Sequence, residues 1–62
     1  ESHDFEIIGT EQNVLLFLRK TKNPFVFIAY KEGANGVFTK TESKGIFEYY
    51  IDGKYMVEEY LF

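Results

Sequence analysis

Residues 13–30, read Asn-Val-Leu-Leu-Phe-Leu-Arg-Lys-Thr-Lys-Asn-Pro-Phe-Val-Phe-Ile-Ala-Tyr, decide how this chain folds. Two dense apolar runs, Val14 to Leu18 and Phe25 to Ala29, flank a short basic turn. Within each run neighbouring residues are all apolar. Successive side chains of a strand point to opposite sides, so as strands both runs are greasy on two faces and need cover from two directions.

The first run also admits a helix over residues 11–20, capped by Thr10 and rich in good helix formers. Such a helix would be apolar all round its middle turn, whereas a short apolar run bounded by polar residues has the length of a strand. Strand is the preferred reading, and an α+β fold with one helix at 11–20 is the alternative. Asn23-Pro24 stops whatever precedes it, because proline pushes the residue before it away from the helical region and cannot donate to a ladder. Phe25 to Lys31, with Phe, Val, Ile and Tyr, reads as strand outright.

Upstream, Asp4 to Ile8 alternates weakly and is broken by Gly9-Thr10, giving a short first strand. Downstream, Asn35-Gly36 is a hairpin signal. A three-residue Ala34-Asn35-Gly36 loop sets Lys31 opposite Thr39, whereas a two-residue loop sets it opposite Lys40, so charge repulsion favours the longer loop. Glu42 to Gly45 is the next turn, and Asp52-Gly53 marks a second hairpin. With Ile51-Asp52-Gly53 as its loop, Phe47, Tyr49, Tyr55 and Val57 share one face while Glu48, Tyr50, Lys54 and Glu58 share the other. That separation of core from solvent favours the three-residue loop. The expected architecture is all-β, a small antiparallel meander of five or six strands in one small domain over residues 1–62. It is either an SH3-like or OB-like barrel, or a curved open sheet that covers a face by pairing with another molecule.

A chain of 62 residues buries only about 60% of its unfolded surface, so its stability starts out marginal. It has no Cys and a single histidine, His3, which excludes disulfides and disfavours a structural zinc site. Seven Phe and five Tyr supply the core instead. No catalytic group, cofactor site or metal site is assembled. His3 lies in a terminal segment, Ser2 and Ser43 have no base brought to them, and Glu58 and Glu59 alternate across a strand. Gly33 and Gly36 precede a strand rather than a helix N-terminus, so they are turn glycines and not a phosphate cradle. Neither apolar run approaches the roughly 20 residues of a bilayer-spanning helix. With no signal-like start, the cytoplasm is the expected compartment, although Glu1 in place of Met leaves a trimmed start open.

The net charge of −3 is unevenly spread. Residues 1–18 carry Glu1, Asp4, Glu6 and Glu11 and no base. Residues 19–44 are basic through Arg19, Lys20, Lys22, Lys31, Lys40 and Lys44, and residues 45–62 are acidic again. Pairing the ends with the middle in one sheet would neutralise these charges. The leading functional expectation is a non-enzymatic protein–protein interaction module, an inhibitor, adaptor or regulatory subunit that self-associates or docks on a larger protein through a sheet face or edge. Its contact residues would be Tyr50, Tyr60, Leu61 and Phe62, with Glu48, Glu58 and Glu59 as an acidic rim. The second expectation is a small β-barrel binding single-stranded nucleic acid through Arg19, Lys20, Lys22, Lys31 and Lys40, with Tyr30 and Phe38 stacking on bases. The acidic net charge opposes that reading.

Overall fold

The computed structural model describes residues 3–9, 11 and 13–61. Six strands follow one another: β1 (Phe5–Ile8), β2 (Val14–Lys20), β3 (Val26–Lys31), β4 (Ala34–Lys40), β5 (Lys44–Ile51) and β6 (Lys54–Leu61). They form one antiparallel sheet in the order β1-β2-β3-β4-β5-β6, a meander in which β1 and β6 are edges. Of the two expected packings, the open curved sheet is the one adopted. Among the described residues there is no helix, and so none long and apolar enough to cross a membrane.

The strand preferred for this run is the one formed, over Val14–Lys20, and the alternative helix at 11–20 is not. The burial pattern gives the reason. Leu16 and Leu18 are buried whereas Leu15 and Arg19 are exposed, a period of two that a helix cannot produce. Phe5 pairs with Leu18 and Ile7 with Leu16, and a bulge follows between Ile7 and Ile8.

One face of the sheet is the inner one. Register carries it from Leu16 and Leu18 through Phe27 and Ala29, then Ala34, Gly36 and Phe38, to Phe47 and Tyr49 and finally Glu58 and Tyr60. Leu16, Ala29, Phe38 and Phe47 are fully buried there, with Ile7, Phe27 and Tyr60 packed around them. A flat sheet could not bury its own face. Layers of sheet pack about 10 Å apart, yet the smallest extent of this molecule is 26 Å, so the sheet is rolled on itself.

Small residues on the inner side permit the roll. A Cβ on Gly45 would lie 2.0 Å from Cζ of Phe38, whose ring covers the β5 backbone at that point. A Cβ on Gly36 would lie 2.0 Å from the carbonyl oxygen of Glu48.

Both hairpins differ from their expected registers. The β3–β4 turn is Glu32-Gly33, with Lys31 opposite Ala34 and Gly33 at φ 83°, while Asn35 and Gly36 lie within β4. Gly36 is required by the approach of β5 and not by a turn. The β5–β6 turn is the two-residue Asp52-Gly53, both at positive φ, which sets Tyr50 opposite Tyr55 and Phe47 opposite Glu58. The three-residue loop had been favoured because it kept Glu58 away from the core. Glu58 instead belongs on the inner face, where its carboxylate is satisfied.

Candidate functional site

On the inner face Glu58 is held by three donors. Its Oε2 accepts from Lys31 Nζ at 2.6 Å and from the Tyr49 hydroxyl at 2.7 Å, and its Oε1 accepts from the Tyr60 hydroxyl at 2.7 Å. Lys31 also lies over the rings of Tyr49 at 5.0 Å and Phe47 at 5.9 Å. The cluster joins β3 to β5 and β6 across the hollow of the sheet, a reach made possible by the small Ala34 and Gly36 between them. Burial opposes the charged form of Glu58, but the hydrogen bonds from Lys31, Tyr49 and Tyr60 outweigh it and hold the carboxyl at about 2. The same bond raises the Lys31 ammonium and the Tyr49 hydroxyl, whereas burial first and the Glu58 bond second raise Tyr60. A carboxylate this strongly held ionised is a poor proton acceptor near neutrality. The cluster therefore acts as a tie across the roll.

The outer face is different. Register aligns Arg19 on β2, Ile28 on β3, Val37 on β4, Glu48 on β5 and Val57 on β6 in one row across the sheet. Ile28 is 48% exposed, Val37 38% and Val57 50%. The neighbouring row holds Phe17 and Tyr30, stacked at 5.2 Å, and then Tyr50 and Tyr55 at 5.7 Å. No described strand covers either row, and only the His3 ring packs edge-on against Phe17, at 4.8 Å, among the described residues. Beside them Glu48 accepts a hydrogen bond from the Tyr55 hydroxyl, and Lys44 pairs with Glu59 at 3.0 Å.

A third feature lies at the end of the hollow where β1 meets the β2–β3 turn. Lys20 stands opposite Phe27, and Lys40 N–H donates to the Phe25 carbonyl at 2.7 Å, which places Lys40 beside them. Lys22 projects from the turn, which is held by Phe25 N–H to Asn23 Oδ1 at 2.9 Å and the Thr21 hydroxyl to the Val26 carbonyl at 2.6 Å.

These placements divide the residues singled out from the sequence. Of the proposed contact residues, Tyr50 and Leu61 are strongly exposed, and register puts both, with Glu48, on the outer face. Tyr60 and Glu58 lie on the inner face, bonded to each other; Glu59 is engaged by Lys44, and Phe62 falls outside the described residues. Of the proposed nucleic-acid residues, Lys20, Lys22 and Lys40 converge at the end of the hollow. Arg19 and Tyr30 face the other way, Lys31 is paired with Glu58, and the Phe38 ring is fully buried and offers no stacking surface. Tyr55 and Val57, expected on the core face with Phe47 and Tyr49, lie on the outer face instead, where Ile28 and Val37 join them. Ile28 was legible from its two-faced strand, whereas the others needed the two hairpin registers. Among known proteins, the chain matches no family model, no curated protein and no solved structure.

Proposed function

We propose that the chain is a non-enzymatic interaction module that docks through the outer face of its sheet, and that the partner this face fits is a second copy. The observation that carries this is the row Arg19, Ile28, Val37, Glu48, which reads cation, apolar, apolar, anion at successive strand positions. A two-fold axis running along the strands between β3 and β4 lays Ile28 against the second copy's Val37 and Arg19 against its Glu48. Such an isologous contact is complementary to itself in shape and sign. The rolled sheet makes the outer face convex, so two copies touch at β3 and β4 and diverge beyond. Short side chains occupy the centre of the row and long charged ones the flanks, where the gap widens. In the next row the same operation sets Tyr50 over the second copy's Phe17.

Sedimentation equilibrium tests this reading. Wild type is expected to be a dimer, Val37→Glu a monomer, and Arg19→Glu a weakened dimer restored by adding Glu48→Arg. A wild-type monomer at high concentration, or a dimer indifferent to these changes, refutes it.

A further inference from the structure

We propose that the end of the hollow beside β1 is a binding site for a small amphipathic carboxylate, an alkyl chain bearing one anionic head. Two cavities meet there. One, of about 250 Å³, is walled by Phe5, Ile7, Leu18, Phe27 and Phe38, with Glu6 and Lys40 at its edge. Its floor is closed, because Leu18 and Phe38 are buried. The other, of about 290 Å³, lies between the same Phe5 and Phe27 rings and the turn from Lys20 to Pro24. These two rings pack edge to face at 5.9 Å and form the shared wall.

The rim is basic. Lys20 and Lys22 border the second cavity and Lys40 borders the first. Two carboxylates stand beside it, each held by a hydrogen bond. Asp4 Oδ2 accepts from the Lys20 backbone N–H at 2.8 Å, and Glu6 Oε2 is held by His3 Nε2 at 2.7 Å. Among the described residues no carboxylate lies within ion-pair distance of the Lys20 or Lys22 ammonium. The Lys20 and Lys22 cations beside an apolar recess call for a ligand with an anionic head and an apolar body.

The recess also chooses between bodies. A nucleobase would bury several polar edge atoms against Phe5, Leu18, Phe27 and Phe38, whose side chains offer no hydrogen bond in return. An alkyl chain carries no such groups, and each methylene it buries is taken out of water. The site lies on the face opposite the docking row, so it does not depend on self-association.

The experiment is a titration of the ¹⁵N-labelled full chain with decanoate below its micelle concentration, followed by amide chemical shifts. Acetate, decylammonium and a short oligothymidylate serve as the comparison ligands. Saturable shifts confined to Phe5, Leu18, Lys20, Lys22 and Phe27 are expected with decanoate alone. The exposed double variant Lys20→Glu/Lys22→Glu, whose shifts at Ala29 and Phe47 report an intact fold, is expected to lose about tenfold or more in affinity. Equal binding of decylammonium, tighter binding of the oligonucleotide, shifts spread over the outer face, or an unchanged double variant each overturns the proposal.

Discussion

Replacing Glu58 by Gln tests whether the carboxylate tie holds the roll of the sheet. Glutamine keeps the size of the side chain but exchanges one acceptor oxygen for an NH₂ donor. Either the Tyr60 hydroxyl at one oxygen, or Lys31 and the Tyr49 hydroxyl at the other, then faces a group that cannot accept. The folded carboxyl sits at about 2 against an ordinary 4.5. Fully converted, at 1.36 kcal/mol per pH unit, that difference corresponds to about 3 kcal/mol. Water around a side chain that is 33% exposed screens it, so a loss of about 1–2 kcal/mol is the expectation. For a domain of this size each kcal/mol shifts Tm by about 4–8 °C. The pH dependence fixes the sign. Because the folded value lies below the unfolded one, the stabilisation is complete above pH 4.5 and is lost as pH falls through about 2. Urea titrations of both proteins at pH 7, 4.5, 3 and 2 should show a gap that is constant down to 4.5 and shrinks below it. A gap that stays the same down to pH 2, or none at pH 7, refutes the tie.

Three glycine substitutions separate space from backbone conformation, each measured by urea unfolding. Gly45→Ala drives a methyl into the buried Phe38 ring, which is hemmed in by Phe27 and Tyr60 at 6.2 Å each, and should cost about 1–3 kcal/mol. Gly36→Ala meets the Glu48 carbonyl, which cannot turn aside, and should cost about 3 kcal/mol or more as the β4–β5 ladder opens. Gly33→Ala meets nothing within 4 Å and loses only the ease of its positive φ, about 1 kcal/mol. If Gly33→Ala proves the most damaging of the three, the roll is not governed by close approach at Gly36 and Gly45.

The strand order was legible because each strand carries its own signal. Val14 to Leu18 has the length of a strand more than of the alternative helix, Phe25 to Ala29 reads as strand outright, and Asn23-Pro24 separates them. Register was less legible, since its determinants are distant in sequence. Asn35-Gly36 has the chemistry of a turn, but the demand on Gly36 comes from Glu48 and Tyr49 on the neighbouring strand. The loop at Asp52-Gly53 was misjudged on the premise that a glutamate faces water, and the partner that reverses this premise, Lys31, lies 27 residues away. The candidate surface inherited that error. One register places Tyr50 and Tyr55 on the same outer row and takes Glu58 and Tyr60 inside, so two members of the contact set lie together on the opposite face from Tyr50.

The two faces of the sheet answer different physical needs, and this is the argument for assigning recognition to the outer one. At the centre of the inner side the strands find their complement within the copy: Leu16, Phe38 and Phe47 are fully buried and Glu58 has its three donors. No buried side-chain polar atom among the described residues lacks a partner. Folding is thereby provided for, and nothing in it requires Ile28, Val37 and Val57 to be apolar. On the outer side of an antiparallel sheet that faces water, polar residues serve equally well in the ladder. Exposed apolar rows invite aggregation unless something covers them. A chain that places β-branched residues at the centre of that face, with Arg19 and Glu48 three strands apart in the same row, carries a pattern that its own fold uses only at the Tyr55–Glu48 hydrogen bond. Cover by a second copy accounts for both the apolar centre and the opposite charges at its flanks, whereas an unrelated apolar partner accounts only for the centre.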